Sequence, residues 1–278
     1  MTARHGTAPA QGSRALLVVL AFLLLSLAGC GSAAPSMVPD RDLAASTTQF
    51  RNQEGTSALR TGVTNNSHRT IQVGTATFRW PGFAWPAVRV SQVVPPGQTA
   101  AFDMEYGAAH CDRRPQRAAS MLVGIDGSTR TLPLLVQDRD LLLRLWQRAC
   151  GLQRLAQVAS VRLAHGRLDG ARYRTSIKVD RLSGSAPVRI VDVGGSVIID
   201  MLAPARPRVL EDHDHSLRLP VTFRPSDRCD PHSLSQSQQT FLLSAYLRVG
   251  RAPVVRLILP LSARVQADLQ QMIDRFCH

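Results

Sequence analysis

Short stretches of alternating apolar and polar residues recur along the chain, and they predict β-strands with one buried face. Residues 102–106 alternate in this way before a loop that reaches Cys111. Residues 219–223 alternate in the same way before a slightly longer loop that reaches Cys229. The repeated arrangement indicates that the chain contains two similar halves.

Each of these strands is followed by a predicted β-hairpin. Asp126-Gly127 separates two apolar runs in the first half, and this dipeptide favours tight hairpin turns. In the second half, a turn that contains Gly250 separates residues 241–249 from residues 254–261. Short strands with frequent turns predict a mainly β fold. We expect two tandem β-sandwich domains that are loosely immunoglobulin-like.

Each half then ends in a predicted short amphipathic helix. In both helices the apolar residues recur three and four positions apart, so they share one helical face. Those residues are Leu142, Leu145, Trp146 and Ala149 in the first half, and Val265, Leu269, Met272, Ile273 and Phe276 in the second. Cys150 and Cys277 follow directly after these helices.

The N-terminus has a different pattern, in which a basic, acid-free segment precedes the apolar run 15–28. That run ends in Leu27-Ala28-Gly29-Cys30, which resembles the lipobox of bacterial lipoproteins. The resemblance implies that residues 1–29 are a signal peptide and that Cys30 is lipidated and becomes the new N-terminus. The alternative is an uncleaved anchor, but a bilayer-spanning helix needs roughly 20 apolar residues.

The lipobox and the repeat together define the expected domain organisation. Residues 30–59 are rich in Ser, Thr, Ala, Pro and Gln and predict a flexible tether. The first sandwich is expected at residues 60–150, a connector at 151–170 and the second sandwich at 171–278. We expect the protein to lie on the outer face of the cytoplasmic membrane, attached by its lipid.

The chain is strongly basic, with a formal net charge of +13. Lys178 is the one lysine among 33 basic residues, and this arginine excess is typical of a GC-rich bacterium. The charge is spread over both halves, which favours attraction to anionic phospholipid headgroups or cell-wall polymers. A solvated basic surface without a partner is the alternative. Nucleic acid is not an expected partner, because no basic stripe alternates with aromatic residues.

Five cysteines are present, and lipidation of Cys30 leaves four for disulfides. Four cysteines allow three connectivities. The repeat selects Cys111–Cys150 and Cys229–Cys277, because each pair then joins a helix to the loop after a strand. Export across the membrane makes oxidation of these thiols plausible. A shared metal site is disfavoured, because no two cysteines have ligand spacing.

One polar cluster is a candidate metal site, and it consists of Glu211-Asp212-His213-Asp214-His215. Imidazole and carboxylate groups at short spacing suit zinc or copper. The candidate ligands are Asp212, His213 and His215, with His232 or His278 as a further ligand. The alternative interpretation is a solvated turn, because the first half has Pro and Gly at the matching position. We therefore expect no cofactor as the leading hypothesis.

No catalytic motif is present in the sequence, so the protein is not expected to be an enzyme. Trp80, Phe83 and Trp85 form a candidate aromatic platform for a ligand, although packing beneath a loop is the more common use of such rings. The leading hypothesis is a non-catalytic binding or interaction module of the cell envelope. Its partner would be an envelope protein or an anionic polymer. The alternative is an envelope metal-binding protein that uses residues 211–215.

Overall fold

The computed structural model describes residues 40–138, 140–204, 208–237 and 239–277. Cys30 and the predicted signal peptide lie outside these residues, and so does His278. The described part of the chain is mainly β, which confirms the expected fold class at that level. Among these residues, no helix is both long enough and apolar enough to cross a membrane.

The strands of the first half are β1 (Leu43–Thr48), β2 (Ala58–Asn65), β3 (Ile71–Arg79), β4 (Val88–Val94), β5 (Thr99–Glu105), β6 (Ser120–Ile125) and β7 (Ser128–Val136). Their order is β4-β3-β6-β7-β1-β2-β5. Residues 128–133 of β7 pair antiparallel with β6, and residues 134–136 pair parallel with β1. Strand β7 therefore belongs to two layers, and buried side chains of both layers form one core.

The hairpin between β6 and β7 forms where the sequence predicts it. Ile125 pairs with Ser128, so Asp126 and Gly127 are the two turn residues. Their φ angles are 49° and 80°, which a two-residue hairpin turn requires at both positions. Glycine and aspartate tolerate this left-handed conformation better than most residues.

Strand β1 lies within the range 30–59, so the prediction of a flexible tether does not hold for residues 43–48. Leu43, Ala45 and Thr47 are buried on alternate positions, and β1 pairs with both β2 and β7. Small and hydroxyl-bearing residues give little hydrophobic signal in a sequence. The strand is therefore stabilised by pairing with neighbours that only the tertiary structure supplies.

Helix α1 (Leu141–Val158) is longer than expected and continues into the predicted connector at 151–170. Its first turns place leucines in the first core, whereas Leu155 packs in a second core. Gly151 does not end the helix. A Cβ atom there would lie 3.1 Å from the Cβ of Val255, so glycine allows the helix to approach the second half closely.

The strands of the second half are β8 (Ala159–Leu163), β9 (Arg167–Asp169), β10 (Arg172–Arg181), β11 (Val188–Gly194), β12 (Ile199–Leu202), β13 (Arg208–Leu210), β14 (Ser216–Pro225), β15 (Ser244–Val249) and β16 (Val255–Ile258). One sheet has the order β12-β14-β10-β8, with β9 also paired to β10. The other has the order β13-β11-β15-β16. Buried side chains of both sheets form the second core.

Two further helices, α2 (Pro231–Gln236) and α3 (Ala263–Phe276), belong to the second half. The hydroxyl of Ser262 accepts a hydrogen bond from the backbone N–H of Val265 and caps α3. The predicted apolar face of α3 packs in the second core through Val265, Leu269, Met272 and Ile273. Phe276 was expected on that face but is 42% exposed, because it lies in the last turn.

Candidate functional site

An open cleft of about 920 Å³ is lined by a 3₁₀ turn of the first half (Arg51–Gln53) and by loops of the second half. Most of the lining residues have polar side chains. Its charged residues are Arg51, Glu54, Asp200, Asp227, Arg228, His232 and Arg256, and its amide and hydroxyl residues are Asn52, Ser196, Ser226, Ser233, Gln236, Ser237 and Gln239. Val197 and Leu242 are its aliphatic residues. Such a lining suits a hydrophilic ligand.

One wall of the cleft is the turn between β11 and β12. A Cβ atom at Gly195 would lie 2.0 Å from the carbonyl oxygen of Ile199, so this close approach requires glycine. The hydroxyl of Ser196 accepts hydrogen bonds from the backbone N–H groups of Ile198 and Ile199. The turn is therefore held by local bonds, and the cleft wall is well defined.

The second wall is the segment between β14 and α2. The hydroxyl of Ser226 donates a 2.6 Å hydrogen bond to the carbonyl of Val197, which joins this segment to the first wall. Asp230 caps α2 by accepting hydrogen bonds from the N–H and the hydroxyl of Ser233. These bonds lower the pKa of Asp230. The carboxylate two residues before His232 is thus engaged in capping the helix.

An ion pair closes one side of the cleft. The guanidinium of Arg256 lies 3.3 Å from the carboxylate of Glu54 and also donates a 2.8 Å hydrogen bond to Ser244. Burial lowers the pKa of Arg148, and the positive charge of Arg256 lowers it further, whereas Tyr106 and Glu54 act in the opposite direction. Glu54 therefore lies near both Arg148 and Arg256, where the first and second halves meet.

Two other arginines of the cleft have different surroundings. Within the part of the chain that the structure describes, the side chains of Arg51 and Arg228 form no hydrogen bond or ion pair, whereas Asp200 is paired with Arg224. The two free guanidinium groups therefore offer hydrogen-bond donors to a ligand, and a carboxylate or phosphate would match them.

The candidate metal loop lies between β13 and β14, and none of residues 211–215 lines the cleft. Asp212 and His213 are exposed and contact each other, and the carboxylate of Asp214 accepts a hydrogen bond from the N–H of Glu211. In the described ranges, no group of three or more His, Cys, Asp or Glu side chains is placed to hold a metal. Among the described residues, Asp212, His213 and His215 are therefore not grouped as a set of three ligands.

A single arginine holds this loop in place. The guanidinium of Arg181 donates hydrogen bonds to five backbone carbonyls at 2.5–3.3 Å, which are those of Gly184, Ala186, Leu210, Glu211 and Asp214. All three of its nitrogen atoms are used. The conformation of residues 211–214 is therefore set by Arg181, which supports the turn interpretation of this segment.

The two predicted disulfides are confirmed. The Cα atoms are 5.5 Å apart in Cys111–Cys150 and 4.9 Å apart in Cys229–Cys277. Both distances lie in the usual range for disulfides. The first bond joins the loop after β5 to α1, and the second joins the loop after β14 to the end of α3.

The aromatic side chains near β3 pack against one another and are not exposed as a ligand platform. Trp80 and Phe83 are each 2% exposed, and the ring of Phe83 lies 4.5 Å from that of Tyr106. The indole N–H of Trp80 donates to the carbonyl of Gln116, and that of Trp85 donates to the carbonyl of Trp80. These rings belong to the first core and its edge, which leaves the cleft as the candidate site.

No family model and no curated sequence matches this chain. Among solved structures it is similar to a protein of unknown function from Porphyromonas gingivalis W83, with 14% identity over 78% of this chain and 98% of that one and a TM-score of 0.23. It is also similar to the YadV chaperone, with 12% identity over 78% and 98% and a TM-score of 0.21. A third is the calcium binding domain CBD12 of CALX1.1, with 11% identity over 83% and 87% and a TM-score of 0.19. At these scores the similarities carry no functional argument.

Proposed function

We propose that this protein is a lipid-anchored, non-catalytic binding module on the outer face of the cytoplasmic membrane. Its two cores would belong to two tandem β-sandwich domains, each ending in a helix, α1 or α3. The lipobox resemblance at Cys30 supports this location. The disulfides Cys111–Cys150 and Cys229–Cys277 fit an oxidising compartment outside the cytoplasm.

The cleft is the observation that supports a binding function. It combines two free guanidinium groups, Arg51 and Arg228, with amide and hydroxyl side chains on walls held by local hydrogen bonds. A preorganised polar cleft lowers the entropy lost when a ligand binds. The ligand would be a hydrophilic envelope component with negative groups, such as a cell-wall polymer or an acidic segment of a partner protein.

The anchor is tested with Cys30→Ala. We expect the wild-type protein to incorporate radiolabelled palmitate and to stay with membranes through a salt wash, whereas the variant remains unlabelled and is released into the medium by that wash. The physical reason is that the variant lacks the thiol that carries the lipid, whereas two or more acyl chains anchor the wild-type protein stably. If Cys30→Ala remains bound to the membrane fraction after a salt wash, the proposed anchor is wrong.

The binding role of the cleft is tested by a substitution that fills it. Gln236 lines the cleft and is exposed, so the indole of Gln236→Trp should occupy the space of a ligand. We expect the variant to bind isolated cell-wall sacculi about tenfold more weakly, which corresponds to about 1.4 kcal/mol. Co-sedimentation of the unlipidated mature chain measures this affinity. The matched control is Gln147→Trp on the exposed side of α1, and equal binding by both variants would contradict the assignment.

A further inference from the structure

The outward face of the sheet β12-β14-β10-β8 is densely basic. Side chains alternate along β10: Tyr173, Ile177 and Val179 are buried, and the even-numbered residues between 172 and 180 lie on the opposite face. The same alternation holds for β14 and β8, so residues paired across these strands share the outward face. We call this surface the basic face.

Three cations lie side by side across its centre. Lys178 on β10 pairs with Arg162 on β8 and with Arg218 on β14, so the three side chains form one row across three strands. A second like-charged pair, Arg174 and Arg167, joins β10 and β9. Like charges directly opposite each other in a sheet are destabilising. The folded protein therefore tolerates a repulsion that an anionic partner would relieve.

The carboxylates of the basic face neutralise only part of this charge. Asp180 lies 2.7 Å from Lys178 and 3.4 Å from Arg162, and Asp200 lies 3.0 Å from Arg224. Asp169 lies 3.8 Å from Arg174. Within the described residues, no ion pair involves Arg167, Arg172 or Arg218. Seven basic side chains thus face three carboxylates on one sheet surface.

We propose that the basic face docks directly on an anionic phospholipid bilayer. A sheet surface presents its cations over an area, which matches a layer of headgroups better than it matches a single small anion. Each basic residue held near an anionic leaflet strengthens binding about fivefold. The central row of Arg162, Lys178 and Arg218 does not line the cleft, although the two surfaces meet at Asp200.

The predicted tether favours the same contact. About ten residues separate Cys30 from Asp40, where the described structure begins, and such a segment extends at most ~35 Å. A protein anchored at Cys30 therefore stays near the leaflet, where its effective concentration for headgroups is high. The tether argument rests on the proposed anchor at Cys30, whereas the vesicle experiment uses a protein without the lipid. The anchor and the docking of the basic face can therefore fail separately.

The experiment uses the mature chain with Cys30→Ala and vesicles of phosphatidylcholine with or without phosphatidylglycerol. We expect the protein to float with the anionic vesicles and to stay in solution with the neutral ones. The triple variant Arg162→Gln/Lys178→Gln/Arg218→Gln should bind the anionic vesicles about 100-fold more weakly, since three charges are removed. Its melting temperature should stay close to that of the parent chain, because the variant loses the repulsion in the row together with the ion pairs of Asp180.

The control is Arg79→Gln/Arg89→Gln/Arg114→Gln, which removes the same net charge from exposed positions of the first half. This variant should keep vesicle binding within about threefold of the parent chain. Equal losses in both triple variants would mean that net charge alone drives binding, and would overturn the proposal. The proposal would also be overturned if the parent chain did not bind anionic vesicles. Binding of the parent chain to sacculi alone would count as this outcome.

A second readout locates the contact. Lys178 is the single lysine of the chain, so a lysine-directed acylating reagent reports on the centre of the basic face. Peptide mapping separates its signal from that of the N-terminal amine. Anionic vesicles should slow the labelling of Lys178 several-fold, and neutral vesicles should not. An unchanged rate in the presence of bound anionic vesicles would place the contact elsewhere on the protein.

Discussion

Replacing Cys229 and Cys277 together with alanine should lower the free energy of unfolding by about 4 kcal/mol. The disulfide closes a loop with a sequence separation of 48 residues, and the chain-entropy model assigns that loss to greater freedom of the unfolded chain. The bond also ties the end of α3 to the loop after β14, and α3 contributes four buried side chains to the second core. Urea denaturation monitored by circular dichroism measures the change.

Two controls accompany this prediction. The variant Cys111→Ala/Cys150→Ala opens a loop of similar size, with a sequence separation of 39 residues, and should also lose about 4 kcal/mol. Thiol reductant should destabilise the parent chain and leave a variant without the four disulfide cysteines unchanged. Parent and variant curves that coincide under oxidising conditions would show that the bond does not stabilise the fold.

Replacing Arg181 with alanine should lower the free energy of unfolding by about 3 kcal/mol. Five backbone carbonyls lose their donor at once, and that of Leu210 belongs to a fully buried residue. Carbonyls that turn towards water recover part of the loss, which is why the effect is smaller than five separate bonds would suggest. Hydrogen exchange should also speed up across residues 211–214.

Arg181→Lys separates charge from geometry. Lysine keeps the positive charge but lacks the planar fork that reaches several carbonyls, so it should recover less than half of the stability. Arg189→Ala on the exposed side of β11 is the matched control and should change stability by less than about 0.5 kcal/mol. A loss in Arg181→Ala no larger than in Arg189→Ala would refute the structural role of this arginine.

Features that depend on local chemistry were predictable from the sequence. Asp126-Gly127 specifies a hairpin by its backbone preferences, and the apolar spacing around Leu269 specifies the buried face of α3. The disulfide pairing followed from the repeated order of strand, loop, hairpin and helix around Cys111 and Cys229. In each case neighbouring residues carry the information.

Features that depend on distant contacts were not predictable. Strand β1 has a weak apolar pattern and forms because β2 and β7 pair with it. Helix α1 continues past Gly151 because its later turns pack in the second core. The cleft combines Arg51 with Arg228 from segments far apart in the chain, and no single segment carries a motif for it. The basic face likewise emerges only from the pairing register that aligns Arg162, Lys178 and Arg218.

We propose that a lipid on Cys30 holds the folded part at the membrane. Mass spectrometry of the N-terminal peptide from detergent-extracted protein tests it most directly. We expect a mature chain that begins at Cys30 and carries a thioether-linked diacylglycerol. A chain that begins before Cys30, or an unmodified thiol at that residue, would contradict it.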